Sequence, residues 1–342
     1  MKGRTVVLDT YKGRAAAALL DNGKLSDFLI DPADKNVPIP GAIYRAFCDR
    51  PMKGQGGMMV RLPGVTGFLR EGRGLAPGQP ILVQVTGFAE EGKAVPVTAK
   101  ILFKSRYAIV TPNAPGFNIS RGIRDDDKRD ELLGIAHSVM GESKFGLIFR
   151  SICETSDPEE IAEDVAHMLG EAEGVLGAEG NAPELLLDGP NAHLLAWRDW
   201  PTPDTMSDEA GAFVTFEVDE LIDQALSSFV PLSGGASMYV EPTRALVAVD
   251  VNTGGDTSPA AGLKANIAAV RDLPRQLRVR GLGGQITLDL APMPKKDRQT
   301  LESIIRIAFK SDSIDTSMAG WTPLGHFELQ RKRERLPLKD GL

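Results

Sequence analysis

Cysteine and long apolar runs are scarce in this chain. Of 342 residues only two are cysteine, Cys48 and Cys153. Two thiols so far apart supply neither a disulfide framework nor a metal knuckle, and a reducing cytoplasm is the simplest compartment for them. No window approaches the roughly 18 apolar residues of a membrane-spanning helix. The start, Met1 to Arg14, has no long apolar stretch behind its basic residues, so it does not read as a secretory signal. Internal repeats and low-complexity tracts are absent too. What remains is an ordinary globular composition, 42% hydrophobic and 25% charged with 36 Gly and 23 Pro. It excludes disorder, collagen-like repeats and coiled coil, and the length suits about two or three domains.

The net charge of −7 at first argues against a polyanionic partner. Its distribution reverses that. Ser151 to Ala225 holds 19 Asp and Glu against one Arg or Lys, Arg198, which leaves +11 on the rest of the chain. A basic remainder beside an acidic segment can still bind a polyanion, because local field outweighs the sum. A merely solvated acidic face fits the segment equally well.

Periodicity and turn residues divide the chain. Residues 1–35 read as a small sheet with a hairpin turn at Asp21-Asn-Gly. Over residues 40–100 five short β-rich pieces alternate with turn signals and predict a small barrel; Lys53-Gly-Gln-Gly-Gly reads as a loop. A strand at Tyr107–Val110, a helix behind Asp125-Asp-Asp and a strand over residues 145–150 follow. Asp157-Pro158 opens a helix to about residue 174. The stretch 176–212 is loop-like apart from Leu185-Leu-Leu and Leu194-Leu-Ala-Trp. Strands are then expected at Phe213–Val218, Ala236–Val240, Ala245–Val251 and Gln285–Leu290. Helices are expected at Asp219–Phe229, 261–279 and 296–310. Alternating strands and helices indicate an α/β layer.

Two of these strands carry carboxylates. Leu246-Val-Ala-Val-Asp-Val-Asn puts Asp250 and Asn252 on one face of a strand. Ile286-Thr-Leu-Asp-Leu repeats the form with Asp289. Two carboxylates on neighbouring strands repel unless one is protonated or a cation lies between them. Hard oxygen donors select Mg²⁺ or Mn²⁺, which can hold a phosphate and activate water. The alternative, that each Asp caps a strand end, stays open at this point. Arg331-Lys-Arg-Glu-Arg reads either as a phosphate contact or as a solvated face.

The same residues carry a resemblance. Glu241-Pro-Thr-Arg-Ala-Leu-Val-Ala-Val-Asp-Val-Asn, Arg275-Gln-Leu-Arg-Val-Arg-Gly-Leu-Gly-Gly-Gln-Ile-Thr-Leu-Asp and Gly325-His-Phe-Glu-Leu-Gln-Arg-Lys-Arg resemble the catalytic core of the ribonuclease E/G family. Upstream, Gly67-Phe-Leu, Pro112-Asn-Ala-Pro, Ile119-Ser-Arg and Gly146-Leu-Ile-Phe-Arg-Ser resemble its RNA-binding barrel and 5′-sensor region. The resemblance covers about residues 1–150 and 229–338. It implies an α+β chain of several subdomains: an RNase H-like subdomain from 1–37 and 180–228, an OB-fold RNA-binding barrel at 38–100, a 5′-sensor-like region at 101–179, and a DNase I-like α/β catalytic subdomain at 229–342.

The implied activity is Mg²⁺-dependent endonucleolytic hydrolysis of single-stranded RNA to 5′-phosphate and 3′-hydroxyl ends, with Mn²⁺ a conceivable substitute. Asp250 and Asp289 would bind the metal and Asn252 would contact the scissile phosphate. Phe68 matches a base-stacking aromatic of the barrel, and Lys93 a lysine that binds the RNA backbone. Arg121 falls in the sensor region, and Arg150 and Ser151 match a pair that grips a 5′-monophosphate. Asp312-Ser-Ile-Asp-Thr stands where the family has a further phosphate-binding arginine. The family's Cys-Pro-x-Cys zinc motif is not found, so no structural zinc and no zinc-linked tetramer is expected, a homodimer stays open, and neither a degradosome scaffold tail nor a membrane partner is implied. The alternative is a catalytically weakened RNA-binding or regulatory protein of the same fold.

Overall fold

Two-residue turns build the first sheet of the computed structural model, which describes residues 3–52, 54 and 56–339. Strand β1 (Arg4–Tyr11) turns through Lys12-Gly13 into β2 (Arg14–Asp21), and β2 turns through Asn22-Gly23 into β3 (Lys24–Ile30). All four turn residues have positive φ, the mirror-image turn whose twist suits a hairpin. Val7, Ala18, Leu20 and Phe28 enter one apolar cluster.

The five β-rich pieces of residues 40–100 form a closed barrel. They are β4 (Ile43–Met52), β5 (Gly57–Arg61), β6 (Thr66–Leu69), β7 (Pro80–Val85) and β8 (Val95–Thr98). Their order is β4-β5-β6-β8-β7, and β4 also pairs with β7, which closes the sheet. Inward residues such as Ala46, Val60, Val83 and Val97 fill it. Lys53 and Gln55 of the expected loop lie outside the described residues.

A second sheet follows, from β9 (Phe103–Lys104), β10 (Ala108–Thr111), β11 (Phe117–Ile119) and β12 (Gly146–Phe149), in the order β11-β12-β10-β9. Helices α1 (Asp126–Met140) and α2 (Pro158–Gly177) pack with it. Their starts follow the expected chemistry. Asp125 accepts from the Lys128 N–H, and Asp157 accepts from the N–H groups of Glu159 and Glu160 with Pro158 in the first turn. Ile161, Val165, Met168, Ala172 and Val175 recur at helical spacing along the buried stripe of α2.

The segment 180–228 does not stay together. Strand β13 (Glu184–Leu187) pairs with β4, and helix α3 (Ala192–Asp199) follows it. Strand β14 (Thr205–Ser207) instead runs parallel to β1. The chain accordingly divides into two compact units, Met1–Lys35 with Pro203–Leu342, and Asn36–Thr202.

Residues 213–218, expected as a strand, are instead the end of one helix, a turn and the start of the next. Helices α4 (Ala212–Thr215) and α5 (Val218–Leu226) meet there, with Gly211 and Glu217 both left-handed. Asp9 Oδ2 accepts from the Phe213 N–H at 3.0 Å, in the first turn of α4. Phe213, Val218 and Ile222 then share one apolar cluster. A short apolar run cannot by itself tell the two conformations apart.

The remaining elements form an α/β layer: β15 (Phe229–Pro231), β16 (Ser237–Pro242), β17 (Val247–Asn252), α6 (Ala261–Val279), β18 (Gly284–Asp289), α7 (Arg298–Lys310), β19 (Thr316–Trp321) and β20 (Phe327–Arg331). The sheet order is β15-β16-β17-β18-β20-β19. β17 and β18 are parallel, joined through α6. Leu273 and Leu277 of α6 and Leu301, Ile305 and Phe309 of α7 bury against one face of the sheet. Each such side chain contributes about 1.5–3 kcal/mol. The last two strands were not foreseen from periodicity.

Candidate active site

Alternation along β17 and β18 fixes what faces outward. Val247, Val249 and Val251 point into the core, so Asp250 and Asn252 are exposed on the other face. In β18, Ile286 and Leu288 are buried and Asp289 is exposed. The parallel register sets Asp250 directly beside Asp289. Both lie at the carboxyl ends of parallel strands, where open α/β sheets place their ligands. Asn252 Nδ2 donates to Asp250 Oδ2 at 3.0 Å, which orients its amide. The three residues expected to carry the chemistry are thus brought together.

The structure adds two residues that sequence reasoning did not single out. His326 Nε2 lies 3.6 Å from Asp289 Oδ1, in the turn before β20. Asn266 of α6 is fully buried and binds Ala291 twice: Nδ2 donates to its carbonyl at 2.9 Å and Oδ1 accepts from its N–H at 2.9 Å. Ala291 stands two residues after Asp289, so this pair of bonds fixes the exit of β18. A signal for Asn266 was legible, since it interrupts the apolar stripe formed by Gly262, Ala269, Val270 and Leu273.

The carboxylate pair fits a divalent cation by donor chemistry. Carboxylate oxygens are hard ligands, and Mg²⁺ takes one or two of them and keeps several waters. Among the described residues no group of three or more His, Cys, Asp and Glu forms a closed metal cage. Asp250 and Asp289 would be the protein's share of the coordination shell.

Two of the four cations in the run 331–335 are structural. Arg331 is buried and pairs with the equally buried Asp312, which also holds Arg278. Burial pushes the Arg331 guanidinium below its ordinary pKa despite that partner. Arg335 pairs with the buried Asp27 at 3.2 Å, and Lys332 pairs with Asp315 at 3.3 Å. Neither the phosphate-contact reading nor the solvated-face reading describes Arg331 and Arg335; each is engaged by a buried acid from another part of the chain. Asp312, where a phosphate-binding arginine was looked for, is the counterion of Arg331 and Arg278.

Arg150 and Ser151 part company. The Arg150 guanidinium donates to the carbonyls of Ser105 and Arg198 at 2.6 and 2.9 Å and to Asp199 Oδ1 at 2.9 Å. Lys104 and Arg198 bind the same Asp199, each at 2.8 Å. Burial alone would raise the Asp199 pKa, but hydrogen bonds and charge from Arg198 and Lys104 hold it well below the usual carboxylate range. Ser151 is exposed, and a Cβ at Gly122 would lie 3.4 Å from its own Cβ, so Ser151 sits beside the turn holding the exposed Arg121.

In the barrel, Phe68 is half-buried on β6 and stays outside the apolar core. Its ring lies over Gly57, where a Cβ would come within 2.4 Å. The missing side chain gives the ring its seat. Lys93 is exposed and pairs with Glu90 at 2.9 Å.

A closed OB-like barrel in one unit and, in the other, an α/β layer bearing paired carboxylates define an α+β protein of mixed architecture. Comparison of sequences is more specific. The model of the Ribonuclease E/G family matches residues 103–207 and 202–334, and the chain belongs to that family. It is 28% identical over 301 residues to Ribonuclease E of Nostoc sp., covering 76% of this chain and 44% of that protein. It is 29% identical to Ribonuclease G of Salmonella typhimurium, covering 75% of this chain and 60% of that protein. Ribonuclease G of Escherichia coli is 28% identical with the same coverage, 75% and 60%. The chain spans about half the length of these relatives.

Proposed function

We propose that the chain is an Mg²⁺-dependent endoribonuclease that hydrolyses single-stranded RNA to 5′-phosphate and 3′-hydroxyl ends. The observation that carries this reading is the parallel register of Asp250 and Asp289. Two exposed carboxylates side by side offer hard oxygen donors to a divalent cation. A bound Mg²⁺ would supply Lewis acidity and an activated water. The protein's own residues do the rest. Asp250 and Asp289 hold the site's negative charge at one point of the sheet, and Asn252 offers an amide, already oriented by Asp250, to a phosphate oxygen. Phe68 presents a sequence-tolerant stacking face for a base. Lys93, Arg121 and Ser151, all exposed, are available to the RNA backbone or its 5′ end. Arg150 is not available in the same way, because Asp199 and two carbonyls engage its guanidinium.

Cleavage of a fluorescent single-stranded RNA, bearing a 5′-monophosphate or a 5′-hydroxyl and run with Mg²⁺ or EDTA, tests this. Asp250→Asn and Asp289→Asn are each expected to abolish cleavage while leaving RNA affinity nearly unchanged. Wild-type turnover in either variant would remove the metal assignment. The engaged Arg150 leads us to expect similar rates on the two 5′ ends. RNA binding without Asp250-dependent cleavage would favour the weakened, RNA-binding alternative.

A further inference from the structure

The outward face of the α/β sheet carries one lateral row through both carboxylates. Phe229 pairs with Tyr239, Tyr239 with Asp250, and Asp250 with Asp289. Leu288 pairs with Phe327, so His326 comes next in step and ends the row. Two aromatic rings and two carboxylates therefore stand side by side on four adjacent strands. Neighbouring strands are about 4.8 Å apart, so Tyr239 lies one strand from Asp250 and Phe229 two.

Both residues are partly open to solvent. Phe229 is 46% exposed and Tyr239 38%, whereas Met238 and Val240 on either side of Tyr239 are buried. Tyr239 is thus not core that failed to close; the alternation of β16 turns it outward. Its ring meets Phe229 edge to face, with centroids 5.5 Å apart and planes at 62°. Such a contact braces the tyrosine ring. An exposed, braced aromatic beside a phosphate-handling pair has the chemistry of a nucleobase platform. Stacking serves any base, because every base has a π face.

We infer that Tyr239, braced by Phe229, stacks the nucleobase flanking the phosphate that a cation at Asp250 and Asp289 would hold. The inference rests on the ribonuclease reading above. It adds a base subsite on the catalytic layer itself, separate from Phe68 on the barrel.

The experiment uses an RNA whose cut position has been mapped, and two copies of it with a single abasic nucleotide immediately 5′ or immediately 3′ of that bond. Wild-type protein is expected to lose about tenfold in kcat/KM on one abasic RNA. Tyr239→Ala is expected to lose a similar factor on intact RNA and to show no further loss on that abasic RNA. Tyr239→Phe keeps the stacking face and should behave as wild type. Wild-type kcat/KM in Tyr239→Ala, or losses that simply multiply, would overturn the inference. The thermal midpoint of Tyr239→Ala reports whether the exposed substitution disturbs folding.

A second arm measures affinity for the same RNAs in the Asp250→Asn background. Failure of Asp250-dependent cleavage would strike the ribonuclease reading alone. Affinity indifferent to both Tyr239 and the abasic site would strike the platform alone.

Discussion

Asp199 shows how one carboxylate can hold several cations. Arg150, Arg198 and Lys104 converge on it, and its side chain is 22% exposed. Replacing it leaves three cations facing one another in a half-buried place. Asp199→Asn should therefore cost about 2–3 kcal/mol, below the 3–5 kcal/mol of a fully buried pair, as measured by chemical denaturation. The pH dependence follows from the depressed pKa. The carboxyl binds its proton less readily folded than unfolded, so its contribution is present above the unfolded pKa of about 3.9. It is lost as pH falls through the lower folded value. Acid unfolding of wild type should include this loss, and Asp199→Asn should lack it. The sequence showed Arg150 by its resemblance and showed nothing of this partner, because residues 150 and 199 meet only through the packing of α3.

At the scale of elements, α6 and the exit of β18 act as one piece. Asn266 holds Ala291 through both backbone groups, and a Cβ at Gly262 would come within 1.9 Å of the Pro292 carbonyl oxygen. The helix therefore packs against backbone just past Asp289. Asn266→Ala would leave a buried N–H and a buried C=O unpaired. It should destabilise by about 2–4 kcal/mol and lower cleavage, through displacement of Asp289. Urea titration and the cleavage rate under fully folded conditions read the two effects separately. Most elements could be placed from the sequence: the five barrel strands, the capped helices, and α6 over the expected 261–279. Residues 213–218 could not, because a short apolar run does not tell strand from helix, and their contact with Asp9 comes from a strand two hundred residues earlier.

Across the whole molecule, charge and function do not follow the sequence map simply. The basic cluster at 331–335 read either as a phosphate contact or as a solvated face, yet Asp312 and Asp27 engage Arg331 and Arg335. RNA affinity should then rest more on stacking than on that cluster. Phe68→Ala is expected to weaken single-stranded RNA binding by about 1–3 kcal/mol, measured by fluorescence anisotropy, with an unchanged melting temperature. Unchanged affinity would make Phe68 a structural residue of the barrel.

The sequence by itself determined the barrel strands, the Asn22-Gly23 turn and the caps of α1 and α2, because alternation, positive-φ turn residues and N-cap carboxylates act within a few positions of the chain. It also determined the candidate residues Asp250, Asn252 and Asp289, whose placement on strand ends is local. Only the tertiary structure decided that Asp250 and Asp289 stand in register, that Tyr239 and Phe229 continue their row, and that Arg150 and Arg331 are engaged by distant acids. Each of these depends on which strand or helix lies alongside another, and pairing between segments far apart in sequence leaves no periodic trace in either one.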